Sequence, residues 1–329
     1  MASIGILGAG TWGIALARML VNAGHEVTVW SALPEEIEEL SETRRQKNLP
    51  GMVIPKKTVF TKSLEEVCER KDLLLFAVPS VFVRSTARAA APFIPENQLI
   101  ADVAKGIEPD TLLTMTEVIR DELKKPVSLV ALSGPTHAEE VARDLPTTIV
   151  SASEDLKAAE TVQDIFMTPG FRVYTNPDVK GVELCGAVKN IIALAAGISA
   201  GLGYGDNTKA ALVTRGMAEI TRLGVAMGSR EQTFAGLAGI GDLIVTATSR
   251  HSRNTRCGEL IGKGVPPGEA VRQVGMVVEG VNALPATVAL SRRYNVSMPI
   301  TDAVYDVVRN DRDPGDAVRE LMTRDRKAE

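Results

Sequence analysis

Apolar residues follow two different rhythms along this chain. Up to about residue 178, short β-rich runs predict strands at Ser3–Leu7, Glu26–Trp30, Asp72–Val78, Gln98–Asp102, Val127–Leu132, Thr147–Val150 and Arg172–Tyr174. Amphipathic stretches separate them, among them Ile14–Val21, Glu35–Leu40, Val83–Ala91 and Leu112–Leu123. Strand–helix alternation of this kind builds a doubly wound, mostly parallel sheet. From about Lys180 the strand signals fade and helical periodicity takes over, at Leu184–Ala200, Lys209–Met227, Asn254–Ile261, Ala283–Arg293, Thr301–Val308 and Asp316–Met322. The fold class expected is therefore α/β for residues 1–178, followed by an all-α domain over 179–329.

Composition narrows the function. The 329 residues are 45% hydrophobic and 24% charged, the proportions of a globular protein long enough for two cores. Thirty-seven basic against 41 acidic side chains leave a net charge of −4, which argues against a nucleic-acid or membrane partner. Aromatic residues make up only 4%, too few for base-stacking platforms. Three scattered cysteines and three scattered histidines form no CxxC or Cys/His cluster, so no metal site is expected. A reducing, cytoplasmic location fits the cysteine usage. The apolar N-terminus lacks a basic leader and opens directly into glycines, and the uncharged stretch Asn190–Gly205 is too short to span a bilayer. No membrane insertion is expected.

Gly8-Ala9-Gly10-Thr11-Trp12-Gly13 is a GxGxxG between a strand and a helix, the context in which the motif has mechanical meaning. The first glycine makes the turn, the second admits a pyrophosphate to the backbone, and the third lets helix and strand pack closely. A Rossmann-type dinucleotide-binding domain follows from that context, and the helical half becomes the substrate and catalytic domain. After the second strand, Ser31-Ala32 offers no carboxylate for a ribose 2′-hydroxyl until Glu35, so use of NADP beside NAD is expected. Arg44, Arg45 and Lys47 stand in the connecting stretch, either as a solvated basic face or near a 2′-phosphate.

Further clusters sit at predicted strand ends, where open α/β sheets bind ligands. Phe76–Ser80 is a rigid turn beside the nicotinamide path, or plain turn chemistry. Lys105 in Val103–Gly106 is an anion or carbonyl ligand, or a solvated loop lysine. Ser133–Ala138 supplies backbone N–H groups and hydroxyls for a ligand, or caps a helix.

In the helical half, Lys189 is the only charged residue from Leu184 to Gly205. It borders a small-residue stripe of Gly186, Asn190, Ala193 and Gly197, which lets a backbone or ligand approach closely. Burial tunes a lysine towards proton transfer to a carbonyl oxygen; the alternative is a snorkelling lysine at a helix edge. Asp242, between glycines and an apolar run, is suited to orient such a lysine or a substrate hydroxyl. Ser249–Asn254 precedes a helix and reads either as a phosphate clamp or as a surface cap. Met276–Gly280 is an apolar strip ending in Glu279.

Jointly these motifs resemble the bacterial NAD(P)-dependent glycerol-3-phosphate dehydrogenase family. The likeness runs through GAGTWG at Gly8–Gly13, AKG at Ala104–Gly106, SGPTHA at Ser133–Ala138 and CGAVKN at Cys185–Asn190. It continues through GIGDL at Gly239–Leu243, SRN at Ser252–Asn254 and VEG at Val278–Gly280. The resemblance implies reversible reduction of dihydroxyacetone phosphate to sn-glycerol 3-phosphate with NAD or NADP, supplying glycerophospholipid synthesis. It makes Lys189 the proton donor and acceptor. Substrate contacts fall to Lys105, Gly134, Thr136, Lys189, Asp242, Ser252, Arg253 and Asn254. Cofactor contacts fall to Gly8, Gly10, Thr11, Trp12, Gly13, Lys105, Ala138, Arg253, Val277 and Glu279. Ser31-Ala32 stands where family members often carry a basic residue. Two other readings remain: a related two-domain hydroxy-acid dehydrogenase of the 3-hydroxyisobutyrate or 6-phosphogluconate type, and a catalytically silent NADP-binding sensor. A homodimer is compatible with each.

Overall fold

The computed structural model describes residues 1–326. The chain forms two compact units: Met1–Lys105 with Thr114–Val182, and Gly106–Leu113 with the residues from Glu183 onward.

The first unit is built on one eight-stranded sheet. Its strands are β1 (Ser3–Leu7), β2 (Glu26–Trp30), β3 (Val59–Thr61), β4 (Leu73–Phe76), β5 (Gln98–Asp102), β6 (Val127–Ser133), β7 (Thr147–Ala152) and β8 (Phe171–Asn176). They lie in the order β3-β2-β1-β4-β5-β6-β7-β8. All neighbours are parallel except β6 and β7. The order reverses between β1 and β4, where doubly wound sheets open a ligand crevice. Register then fixes which residues border it. Leu7 is paired with Trp30 and with Phe76, and Phe76 with Asp102, so the loops after β1, β2, β4 and β5 leave one edge of the sheet.

The strands are apolar on both faces because helices cover both. Ile4, Ile6, Leu73, Leu75, Ala101 and Val130 are buried against Ile14, Leu16 and Leu20 of helix Thr11–Asn22, among others. Each aliphatic side chain closed off this way contributes about 1.5–3 kcal/mol. The sequence pattern does not predict β3, because three residues at the sheet's edge are too short to carry a period-2 signal. Helix Met115–Leu123 starts three residues after the predicted Leu112, because a capping box of Thr114 and Glu117 sets its first turn and Leu112 itself has φ +62°.

The second unit is helical. Its longest helix, Val179–Gly201, carries the fully buried Leu184, Val188, Ile191, Ile192 and Leu194. Length and composition would let this helix cross a membrane, but 89% of its most apolar stretch is buried. A helix apolar all round is the core helix of a large protein when other helices surround it. Ile107 belongs to this second core, which explains why Gly106–Leu113 groups with it.

Candidate active site

The glycine motif forms the turn leaving β1. Gly8 takes φ +128°, and its backbone lies so near Ala77 that a Cβ there would stand 2.7 Å from the Ala77 carbonyl. A Cβ on Gly13 would fall 2.1 Å from Gly8 O, so this glycine is needed for the helix to start where it does. Gly10 differs. Nothing lies within 4 Å of the place a Cβ would take, so no protein group requires a glycine there. That open space borders the first turn of helix Thr11–Asn22, which no side chain caps. A free first turn beside open space fits the pyrophosphate of a dinucleotide.

At the end of β2 the structure supplies a carboxylate that spacing alone did not reveal. Ser31 Oγ donates to Glu36 Oε2 at 2.6 Å and accepts from Leu33 N at 3.2 Å. Arg44 is committed elsewhere: its Nη1 donates to Thr58 O at 2.8 Å and its guanidinium lies over the Phe60 ring. Arg45 and Lys47 are exposed. At the end of β4, Ala77 N donates to Leu7 O and Ser80–Phe82 forms a 3₁₀ turn whose Val81 and Phe82 are half exposed.

The loops after β5 and β6 meet through one lysine. Lys105 Nζ donates to Gly134 O at 3.0 Å and to Thr136 Oγ1 at 3.5 Å, while Thr136 Oγ1 also donates to Gly134 O at 3.0 Å. Two motifs 29 residues apart are thereby held as one polar patch. Ala138 follows as the buried first residue of the short helix Ala138–Val141.

In the second unit Lys189 is not a snorkelling residue. Its side chain is 5% exposed, and Nζ stands 2.7 Å from Asp242 Oδ1, itself 2% exposed. Nζ also donates to Thr246 Oγ1 at 2.6 Å. Thr246 lies one turn after Asp242 on helix Asp242–Thr248, and its hydroxyl proton goes to Asp242 O at 2.7 Å. Carboxylate and hydroxyl therefore face the ammonium from one helix face. A five-residue π-helical turn, Leu237–Gly241, leads into that helix; such wide turns recur at functional sites because they re-aim the residues after them.

The small-residue stripe has a backbone as its partner. A Cβ on Gly197 would lie 2.2 Å from Thr255 O, and one on Gly258 would lie 2.2 Å from Leu194 O. Helices Val179–Gly201 and Arg253–Gly262 thus touch main chain to main chain. This brings the start of the second helix to the helix of Lys189. Ser252 serves as its N-cap, accepting from Thr255 N at 3.2 Å. Asn254 is buried and Arg253 exposed. Val277 and Glu279 are partly exposed at the start of helix Glu279–Arg293. Burial raises the thiol of Cys257 to about 11 and that of Cys68 to about 12, so neither is a ready nucleophile at neutral pH. Sequence reasoning missed Thr246 and Glu36; the signal for Thr246 was its i+4 spacing from Asp242.

A doubly wound sheet with an open glycine turn, joined to a helical unit with a buried lysine–aspartate pair, defines a two-domain dinucleotide-dependent oxidoreductase. Residues 3–159 match the family described as NAD-dependent glycerol-3-phosphate dehydrogenase N-terminus, and residues 178–319 match the corresponding C-terminus. The chain belongs to the NAD-dependent glycerol-3-phosphate dehydrogenase family. It is 66% identical to glycerol-3-phosphate dehydrogenase [NAD(P)+] 2 of Lactobacillus delbrueckii subsp. bulgaricus, over 100% of this chain and 99% of the relative. It is 53% identical to glycerol-3-phosphate dehydrogenase [NAD(P)+] of Agathobacter rectalis, over 100% of this chain and 98% of that one. A crystal structure of glycerol-3-phosphate dehydrogenase from Coxiella burnetii superposes with a TM-score of 0.94 at 38% identity, covering 98% of this chain and 99% of that one.

Proposed function

We propose that this chain interconverts dihydroxyacetone phosphate and sn-glycerol 3-phosphate by hydride transfer with NAD(P)(H), and that Lys189 delivers and recovers the proton. The observation that carries this reading is the buried Lys189–Asp242 pair on helices of the family's C-terminal region. Bound NAD(P)H supplies the hydride. Gly8, Gly10, Gly13, Thr11 and Trp12 hold the dinucleotide's phosphates at the open turn after β1, and Ala138, Val277 and Glu279 contact it further along. Lys105, steadied by Gly134 O and Thr136, touches both substrate and cofactor.

Lys189 Nζ gives its proton to the carbonyl oxygen as negative charge develops there, combining general acid catalysis with electrostatic stabilisation. Asp242 and Thr246 fix the direction of Nζ. Ser252, Arg253 and Asn254 face the substrate, with the Arg253 guanidinium gripping its phosphate by paired N–H bonds. Two cations, Lys105 and Arg253, favour a phosphorylated substrate over a plain hydroxy acid. The enzyme works in the cytoplasm, and its product enters glycerophospholipid synthesis.

The test is a steady-state assay with dihydroxyacetone phosphate, run in parallel with NADPH and NADH. Oxidation of reduced nicotinamide with stoichiometric glycerol 3-phosphate supports the reading. Turnover of 3-hydroxyisobutyrate or 6-phosphogluconate instead, or cofactor binding without any turnover, overturns it.

A further inference from the structure

Asn190 follows Lys189 on helix Val179–Gly201 and is 4% exposed. Its Nδ2 donates to Gly186 O at 3.1 Å, one turn back, which sets the orientation of the amide. The Oδ1 so aimed accepts from Asn254 Nδ2 at 2.9 Å. Asn254 Oδ1 accepts in turn from the backbone N–H of Gly280 at 2.8 Å. A flip of either amide would set donor against donor or acceptor against acceptor, so the relay runs in one direction only.

Gly280 is the second residue of helix Glu279–Arg293, whose N-cap, Val278, has no side-chain acceptor to offer. Amides in a first turn lack partners within their own helix. Asn254 therefore caps this helix from another helix. The backbone is also drawn in at the same point: a Cβ on Gly280 would stand 2.5 Å from Asn190 O. Three helices carrying Lys189, Arg253 and Glu279 meet on two buried side-chain amides.

We propose that Asn190 and Asn254 are positioning residues, a two-amide relay that holds the Val277–Glu279 cofactor strip in register with the helices of Lys189 and Arg253. This rests on the functional reading above for what Glu279 touches. It assigns Asn254 a task beside any contact with substrate: its oxygen holds Gly280 N and one of its two N–H groups holds Asn190, which leaves the second N–H for a ligand. Opening either link leaves a buried amide group without a partner and frees the start of helix Glu279–Arg293.

The test measures NADPH dissociation without substrate, by fluorescence, together with hydrogen–deuterium exchange over residues 276–284. Asn254→Ala is expected to raise the NADPH Kd about 10-fold and to speed exchange at the helix start, the size expected for an unsatisfied buried N–H. Asn190→Ala shifts both readings the same way, and the double variant is no worse than the more affected single one, since both cut one relay. Should Asn254→Ala fail to fold by circular dichroism, Asn254→Ser carries the comparison, its side chain being too short to bridge both partners. An unchanged NADPH Kd with a raised KM for dihydroxyacetone phosphate overturns the proposal and makes Asn254 a substrate contact alone. Additive losses in the double variant overturn it equally. A wild-type protein that ignores dihydroxyacetone phosphate yet binds NADPH would sink the functional reading while leaving the relay's binding and exchange tests intact.

Discussion

Lys189 Nζ lies 2.7 Å from Asp242 Oδ1, and both side chains are all but closed to solvent. An ion pair removed from water holds together only while both partners remain, because each charge alone would face a large desolvation cost. Replacing Asp242 by Ala is expected to lower the unfolding free energy by about 3–5 kcal/mol in urea titrations. Asp242→Asn keeps an oxygen for Nζ, so it should lose less stability and still lose turnover. If Asp242→Ala matches wild type in stability, the pair is not the buried contact described.

Glu219 gives the fold a pH dependence. Its carboxylate accepts from Ile300 N at 2.7 Å and from Thr301 N and Thr301 Oγ1 at 3.2 Å, capping helix Pro299–Arg309 from a neighbouring helix. Burial outweighs these bonds and the pull of Arg222, and lifts the carboxyl from 4.5 to about 7. The folded state then holds a proton that the unfolded chain has released. Its stabilising contribution is complete below about 4.5 and is lost as pH rises through about 7. Glu219→Gln should flatten the stability profile across that window, gaining on wild type by on the order of 3 kcal/mol at its alkaline end. Parallel profiles for the two proteins would contradict the assignment.

Glu36 is expected to bear on cofactor choice. Its carboxylate accepts from Ser31 Oγ just beyond β2, the strand end at which doubly wound folds usually bind the cofactor's ribose. Glu36→Gln should shift the ratio of kcat/KM values towards NADPH by about 10-fold, one like-charge contact relieved near the surface. Ser31→Asp adds a second negative charge and should shift it towards NADH. A ratio unmoved by both substitutions would place the ribose elsewhere.

Arg253 is exposed beside the capped turn at Ser252. The phosphate contact proposed for Arg253 is charge-assisted, so Arg253→Ala should cost roughly 10–150-fold in kcat/KM for dihydroxyacetone phosphate. Unphosphorylated dihydroxyacetone should be turned over almost as before. Equal losses on both substrates would assign Arg253 to the cofactor or to the fold.

Much of the architecture was legible because local pattern and tertiary need agree. Ser3–Leu7, Glu26–Trp30 and Gln98–Asp102 form strands with the predicted ends. The six helices predicted in the second half begin within a few residues of their periodic signals, extended by caps and by prolines such as Pro299 and Pro314. Helices Asp242–Thr248 and Pro267–Val274 are too short to carry the period and are not predicted. What was not legible depends on partners distant in sequence. The edge strand β3 exists only through its pairing with β2. The π-helical turn before Asp242 is hidden in a glycine-rich run that reads as a loop. Thr246 lies in what reads only as an apolar run after Asp242 until Lys189 is found 2.6 Å from its hydroxyl. Arg44, read as part of a solvated face or a phosphate contact, packs on Phe60. The Gly186–Gly197 stripe announced a close approach, but only the structure identifies helix Arg253–Gly262 as what approaches.

Lys189 is the group expected to move the proton. Lys189→Met keeps the length of the side chain while removing the acid. It also leaves Asp242 buried without its cation, so Tm should fall, whereas the glycine turn after β1 is untouched and NADPH should still bind. The measurement is kcat for dihydroxyacetone phosphate reduction in Lys189→Met, with NADPH Kd and Tm recorded on the same preparation. A fall in kcat of about 10²–10⁴-fold, with Kd little changed, is the predicted result. Lys189→Arg should not restore it, because a guanidinium does not release its proton near neutrality. Near-normal kcat in Lys189→Met would contradict the account and send the search for the acid to Lys105.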